Sequence, residues 1–209
     1  MAFDETLLAA AHAFDHSILR FYSWTEPAAS FGYFQRVAEV EKATLLRPLV
    51  RRPTGGGIVP HNGDWTYSLA IPATGSWYRM SARESYHLMH GWIQAAFQAL
   101  GISTELAPCC RKEAPGQCFA GYEKDDLLLG GRKIAGAAQR RTQHGLLIQG
   151  SVQPPMNISR SDWERSMIDI AHQRWGTLWE SWSLPESWLD RVSELSAAKY
   201  QSTAYTRKR

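Results

Sequence analysis

The sequence predicts an α+β domain built on a mixed or antiparallel sheet. Three observations lead there. Short segments rich in β-branched and aromatic residues recur through the middle of the chain. Segments with a helical apolar period open the chain, divide it and close it, giving the order helix, strands, helix, strands, helix. No repeat, low-complexity tract or linker breaks this order across the 209 residues.

Asp4 to His16 carries Leu7, Leu8, Ala11 and Phe14 on one helical face, with acidic residues in the first turn. Ser17–Ser23 reads as a strand, Trp24–Ala29 as a loop, and Ser30–Gln35 as a second short strand. Val37–Leu46 reads as a short helix that ends before Pro48. Trp65–Ile71 is a strand. Ser81–Leu100 is the longest helix, with Ser81 and Glu84 at capping-box spacing and Gly101 as its stop. Its expected buried face is Leu88, Trp92, Ala95, Ala96 and Ala99. Ala107–Gln117 is a loop with two prolines. Leu127–Leu129, Gly130-Gly131 and Arg132–Ala138 form a hairpin with a two-residue turn, and Gly145–Val152 is a further strand. Ser161–Trp175 is helical, and another helix begins near Pro185. The tryptophans of the C-terminal part (Trp163, Trp175, Trp179, Trp182 and Trp188) are expected to anchor helix packing.

Composition excludes several classes. With 23 basic and 20 acidic residues the chain is nearly balanced, which argues against nucleic acid. The basic end Thr206–Arg209 is expected to be frayed and solvated. No apolar run approaches membrane-spanning length, and the acidic residues before the first apolar stretch have the wrong order for a signal peptide, so a cytoplasmic location is expected. The three cysteines are clustered at Cys109, Cys110 and Cys118, which suits neither a disulfide framework nor a zinc finger, so no metal is expected. Cys109 and Cys110 acquire no role.

The organising stretch is RRPTGGGIVPH, Arg51 to His61. Three successive glycines, Gly55, Gly56 and Gly57, fit a loop whose backbone amides approach an anion, and Arg51 and Arg52 add guanidinium forks. The same glycines also fit an ordinary turn with solvated arginines. Lys133, two residues past a hairpin turn, is an edge-strand charge by default. Gly136, with the small Ala135, Ala137 and Ala138, leaves room for a ligand across that strand. Cys118, in PGQCF, is either an inert thiol or a nucleophile activated by nearby cations.

In order and spacing, RFYSW (20–24), FGYFQ (31–35), RRPTGGGIVPH (51–61), TYS (66–68), CF (118–119), GRKIAGAAQRR (131–141) and QGS (149–151) resemble the lipoate-protein ligase / octanoyltransferase family, which shares its catalytic fold with biotin-protein ligases. DETLL at Asp4 resembles the family's first helix, and the C-terminal AAKYQSTAYTRKR resembles the ending of the octanoyltransferase branch. The resemblance implies that residues 1–209 are a single catalytic domain with a mixed sheet flanked by helices. It implies an enzyme of protein lipoylation that moves an octanoyl or lipoyl group onto one lysine of a lipoyl domain or H-like protein. Lys133 would hold the acyl carbonyl. Arg51, Arg52, Gly55, Gly56, Gly57, His61, Gly136 and Ala137 would bind the acyl group or an adenylate.

Two mechanisms compete within the resemblance. In one, Cys118 takes the acyl group from acyl carrier protein as a thioester. In the other, ATP and Mg activate free lipoate as an adenylate. Cys118-Phe119 and the C-terminal ending resemble the thiol transferases. Gly57 resembles the ligases, since the transferase branch often has Arg there. Pro60 and Asn62 depart from the ligase pattern, and Gln149 stands where many relatives have His. The chain has no room for the ligases' extra C-terminal domain. The thiol transferase is the favoured expectation, with no tightly bound cofactor and a monomeric state. A non-catalytic lipoyl- or biotin-binding paralogue is the reading from another class.

Overall fold

A computed structural model describes residues 1–112, 116–155 and 157–208. Helix α1 (Ala2–Ala9) and a 3-10 turn (Ala11–Ala13) lead into strands β1 (Ile18–Tyr22) and β2 (Ala28–Phe31) and helix α2 (Val37–Ala43). Strands β3 (Leu49–Arg51), β4 (Val59–His61) and β5 (Trp65–Pro72) follow, then helices α3 (Ser76–Arg79) and α4 (Ala82–Ala99). Next come β6 (Glu105–Leu106), β7 (Arg111–Lys112), β8 (Gly121–Tyr122), β9 (Leu127–Leu129), β10 (Arg132–Thr142) and β11 (Gly145–Val152). Helices α5 (Arg160–Trp175), α6 (Glu186–Leu195) and α7 (Thr203–Thr206) close the chain, with a π-type turn over Ser196–Tyr200.

Six strands form one sheet in the order β1-β5-β11-β10-β9-β6, antiparallel throughout. The parallel component lies in a smaller sheet, β3-β2-β4, where β2 runs parallel to β3 and antiparallel to β4. The expected α+β class with mixed strand directions and flanking helices is what the chain adopts.

Strand alternation divides the large sheet into two chemically different faces. Trp65, Tyr67, Leu69, Ile71, Leu146, Ile148 and Val152 pack with Met89, Trp92, Ile93 and Phe97 of α4 and Trp163, Met167 and Ile170 of α5. The Trp92 indole N–H donates to the Met167 carbonyl at 2.8 Å, so this large side chain buries its area without an orphaned donor. The opposite face is polar: Thr66, Ser68, Gln149 and Ser151 are buried there against α1 and the loops of the small sheet.

Several expected boundaries shift. The first helix stops at Ala9, because the chain must reverse to start β1 at Ile18. The second strand is Ala28–Phe31. Its expected second half is a turn, in which the Gly32 N–H donates to Gln35 Oε1 and the Gln35 N–H donates to the Gly32 carbonyl. The Ser81–Glu84 capping box forms as expected, but the buried stripe of α4 is Ser85, Met89, Trp92, Ile93, Ala96 and Phe97, while Ala99 is exposed. Of the C-terminal tryptophans Trp163 is fully buried, Trp179 and Trp188 pack against core clusters, and Trp175, though exposed, meets Trp92 edge-on, while Trp182 is exposed.

The C-terminal end is docked rather than frayed. Lys199 pairs with Glu5 at 2.6 Å, the Tyr200 hydroxyl donates to Glu5 at 2.7 Å, and Arg207 pairs with Glu41 at 2.7 Å. Arg209 lies outside the described residues. Among the described residues no helix is long and apolar enough to cross a membrane.

Candidate active site

The site lies where the small sheet meets the polar face of the large one. Its first component is the glycine loop. Arg52 is buried, and its guanidinium donates to the carbonyls of Gly55 at 2.9 Å and Gly57 at 2.7 Å and to Ser30 Oγ at 2.9 Å. The loop is therefore curled around one cation. Burial lowers the Arg52 pKa to about 10, against the opposing pull of Cys118 and Tyr22, so it stays charged at neutral pH. Gly57 has to be glycine for a packing reason. A Cβ there would lie 2.7 Å from the Gly116 carbonyl oxygen and 3.0 Å from the Cys118 nitrogen. Ile58 continues the junction: its N–H donates to the Gly116 carbonyl at 2.7 Å, and its carbonyl accepts from the Cys118 N–H at 3.0 Å.

The second component is the thiol–ammonium pair thus delivered. Lys133 Nζ lies 3.3 Å from Cys118 Sγ and 2.7 Å from Asp126 Oδ2, and 5.2 Å from the centre of the Phe119 ring. Lys133 is 6% exposed, so it is a buried cation and not an edge-strand charge on the surface. Burial disfavours the ammonium, but Cys118 and Asp126 together outweigh it and raise the pKa above the ordinary lysine value. Lys133 reaches the thiol by folding back over its own strand. A Cβ on Gly136 would lie 2.6 Å from Lys133 Cε and 2.7 Å from Nζ. The strand register also slips between Lys133 and Ala135, and such a bulge re-aims a side chain.

Asp126 is itself anchored. It accepts from the Tyr86 hydroxyl of α4 at 2.5 Å and from the Glu123 N–H at 2.6 Å. Burial, together with the charge of Asp126, pushes the Tyr86 hydroxyl well above its ordinary pKa and keeps it a donor.

The third component is a set of buried polar chains. His61 Nδ1 lies 2.9 Å from Asp64 Oδ2, and Nε2 lies 2.6 Å from Ser30 Oγ. Trp24 stacks on the imidazole with centroids 4.0 Å apart. Burial lowers the His61 pKa, against Asp64, which raises it. The neutral ring therefore carries its proton on Nδ1 toward the carboxylate and accepts from the Ser30 hydroxyl at Nε2. Asp64 also accepts from Thr66 and Ser151. A second chain runs Thr54–Gln149–Asp4, and Asp4 additionally takes Arg20, Ser68 and Tyr22. Burial opposes the Asp4 charge, but the neighbouring α-amino group and Arg20 hold its carboxyl below the usual range.

One cavity joins these parts, with Arg52, Gly56, His61, Cys118, Gly136 and Ala137 among its lining. Of the residues expected at the site, Gly55, Gly57 and Lys133 stand behind this lining, and Arg51 departs from the expectation altogether. Its guanidinium is 1% exposed and donates to the carbonyls of Tyr33, Gln35, Tyr205 and Thr206, which places it away from the cavity. The Gly55 and Gly57 carbonyls serve Arg52. Sequence reading missed Ser30, Asp64, Tyr86 and Asp126. For Asp126 a signal existed: the hairpin pairs Leu128 with Lys133, so an acid just before that strand falls near the lysine.

A half-buried thiol against a buried lysine beside a glycine loop, on two sheets flanked by helices, defines the class as an α+β protein with a thiol–ammonium centre. Residues 1–166 match the model of the lipoyl protein ligase A/B catalytic domain, and the chain belongs to that family. It is 35% identical to octanoyltransferase LipM of Oceanobacillus iheyensis over 164 residues, covering 76% of this chain and 60% of that protein. It is 34% identical to octanoyltransferase LipM of Carboxydothermus hydrogenoformans over 166 residues, covering 77% and 62%. The matched stretch thus spans about 60% of the length of these relatives. The fold is that of lipoate-protein ligase A bound with ATP (TM-score 0.81, 20% identity, 99% of this chain and 92% of that one). It is equally that of a bi-partite lipoate protein ligase solved with its E2 lipoyl domain from Thermoplasma acidophilum (TM-score 0.74, 19% identity, 99% and 89%).

Proposed function

We propose that this chain transfers an octanoyl or lipoyl group to a lysine of a lipoyl domain through a thioester on Cys118. The observation that carries the reading is the 3.3 Å approach of Lys133 Nζ to Cys118 Sγ, at a cavity that Cys118 lines. The thiolate is the attacking form of a cysteine, and an ammonium at that distance is in place to offset the charge of the carbonyl oxygen after attack. In the first step the thiolate adds to the thioester carbonyl of an octanoyl-carrying acyl carrier protein. The carbon–sulfur bond to the carrier breaks, and the carrier leaves as its thiolate. In the second step the acceptor amine adds to the Cys118 thioester, the carbon–sulfur bond breaks as the amide forms, and the departing Cys118 sulfur takes up the proton that the amine gives up. Arg52, the glycine loop, His61, Gly136 and Ala137 shape the acyl site. Arg51 serves the scaffold.

The names of the octanoyltransferase relatives and the Cys118–Lys133 geometry favour this route over adenylation. The ATP bound to the lipoate-protein ligase A neighbour keeps ATP and Mg as co-substrates of a second reading, lipoate ligation. A lipoyl domain as acceptor is supported by the E2 lipoyl domain named with the bi-partite neighbour. The chain would act as one catalytic domain, monomeric and cytoplasmic, and its stretch beyond the family match is tied to α1 through Lys199–Glu5.

Intact mass after incubation with octanoyl-acyl carrier protein, without ATP, tests the proposal. One octanoyl adduct that is released by hydroxylamine and absent in Cys118→Ala is the expected result. No adduct, together with lipoate- and ATP-dependent modification of a lipoyl domain by Cys118→Ala, would establish the ligase. No modification by either route would leave a binding paralogue.

A further inference from the structure

A buried ammonium that faces a thiol has two partners, and only one of them stays the same through an acyl transfer. Lys133 Nζ lies 2.7 Å from Asp126 Oδ2 and 3.3 Å from Cys118 Sγ. Once the sulfur has added to a thioester carbonyl, the negative charge has moved to the carbonyl oxygen and the sulfur is a weak acceptor. That oxygen stands one bond beyond the carbon under attack, so the N–H that faced Sγ reaches it by a small turn. The turn needs a fixed partner on the other side of the ammonium. Asp126 is the only carboxylate among the described residues that pairs with Lys133.

Asp126 is held more firmly than an ion pair alone requires. It is fully buried. Its Oδ1 accepts from the Tyr86 hydroxyl of α4 at 2.5 Å, and Oδ2 accepts from the Glu123 N–H at 2.6 Å as well as from Lys133. Its own N–H donates to the Glu123 carbonyl at 3.1 Å, and its carbonyl accepts from the Ala107 N–H at 2.8 Å. The Tyr86 hydroxyl also accepts from the Ala137 N–H at 3.4 Å, so it ties the carboxylate both to α4 and to the strand that carries Lys133. Gly136 gives room to both members of the pair: a Cβ there would lie 2.7 Å from Lys133 Nζ and 3.1 Å from Asp126 Oδ1. A buried ion pair is a weak source of stability, so one fastened by this many bonds beside a thiol is better explained by placement than by folding.

We propose that Asp126, fixed by Tyr86, is a positioning residue of the transfer, holding the Lys133 ammonium as a pivot while the N–H that faces Cys118 Sγ passes to the carbonyl oxygen and back. The inference rests on the thioester reading of the site. In the acylation step the bond from Sγ to the carbonyl carbon forms and an electron pair moves onto the oxygen. Lys133 offsets that charge without giving up a proton, and the pair returns as the carbon–sulfur bond to the carrier breaks. Lys133 touches the reacting oxygen; Asp126 and Tyr86 act through it. The titratable and charged groups around the pair are Cys118 and Asp126 themselves, Tyr86 and His90 from α4, and Arg52 from the glycine loop. Burial opposes the ammonium, and Cys118 and Asp126 outweigh it, so removing the Asp126 charge makes Lys133 lose its proton at lower pH. Tyr86 keeps its proton and His90 is neutral above pH about 4, so neither titrates in the same range.

Two variants with different signatures test the pivot. Asp126→Asn keeps the shape and removes the charge; Tyr86→Phe keeps the charge and removes the tie. Thioester formation from octanoyl-acyl carrier protein is followed by intact mass in a single turnover across neutral and alkaline pH. Asp126→Asn should be about 10²-fold slower, with its alkaline limb moved to lower pH, so that acidifying recovers part of the rate. Tyr86→Phe should be about 10-fold slower with the limb in place, the low end for a partner behind a working group. A merely structural role would slow the variants without moving the limb. Nitrogen NMR of the lysine-labelled chain, with Lys133→Arg giving the assignment, reads the ammonium without any acyl donor. Lys133 should titrate at lower pH in Asp126→Asn and at the normal pH in Tyr86→Phe. If Lys133 titrates in Asp126→Asn as in the unsubstituted chain, or either variant forms the thioester at the normal rate, the pivot is wrong. If the unsubstituted chain forms no thioester, the thioester reading itself fails and takes the pivot with it.

Discussion

Lys133 works at the residue scale because Gly136 has no side chain. The folded-back ammonium fills the volume that a methyl group would take, and Asp126 blocks its retreat. Gly136→Ala should therefore displace Lys133 from Cys118 while leaving the sheet paired. The expected result is a loss of at least about 10²-fold in transfer, the scale of a lost electrostatic contact in a desolvated site, with a much smaller loss of stability. Activity and a urea titration on one preparation check this. His90 makes a second residue-scale prediction. It is fully buried, its Nδ1 lies 3.0 Å from the Tyr86 carbonyl, and burial lowers its pKa to about 4. The folded chain therefore binds this proton less readily than the unfolded chain, whose histidine titrates near the ordinary value. Its contribution to stability is complete above pH ~6.5 and is lost as the pH falls toward 4, by roughly 3 kcal/mol over the interval. Asp4, lowered in the opposite sense for an acid, stays ionised through this window. His90→Leu should flatten urea-unfolding stability between pH 7 and pH 4.5 by about 2 kcal/mol. An unchanged slope would assign the acid sensitivity elsewhere.

Elements here are joined by side chains that reach backbone. Arg51 is the clearest case: one guanidinium closes the turn after β2 through Tyr33 and Gln35 and fastens α7 through Tyr205 and Thr206. Arg51→Ala would strip four carbonyls of a charged donor at once. A loss of about 3 kcal/mol is expected, with Arg51→Lys recovering only part because an ammonium lacks the planar fork. Limited proteolysis should then cut first after Lys199, since the end is held by Arg51 and Glu5. This element also shows where sequence reading stops. The strands β5 and β11 and the cap of α4 were legible, because period, turn glycines and a capping box are local signals. The docking of 199–208 was not, because Arg51–Thr206 spans 155 residues and nothing near either end announces it. The same limit explains Arg51 and Arg52. Adjacent in sequence, they alternate sides of a strand end, so one enters the cavity and its neighbour serves the scaffold.

At the scale of the whole molecule, the two faces of the large sheet divide the labour. The face under α4 and α5 is apolar, and the other carries the buried carboxylates and hydroxyls on which the site is built. Composition and period forecast that such a sheet exists. They could not forecast that Ser30 and Asp64 meet at His61, or that Asp126 meets the lysine beside the thiol. Hydrogen bonds between side chains far apart in sequence leave no periodic trace. Lys133 was legible as a candidate because the small residues beside it implied space, and Cys118 through the resemblance that Cys118-Phe119 carries; their partners were not, because an isolated Ser or Asp looks like any other.

The junction at Gly57 has a mechanical meaning. Cys118 is fastened by its backbone to Ile58, on the small sheet's side, whereas Lys133 belongs to the large sheet. The proposed nucleophile and the ammonium beside it thus belong to different sheets, and their 3.3 Å separation works as a gauge of how the sheets sit against each other. A shift of one sheet against the other would therefore be felt first in this separation.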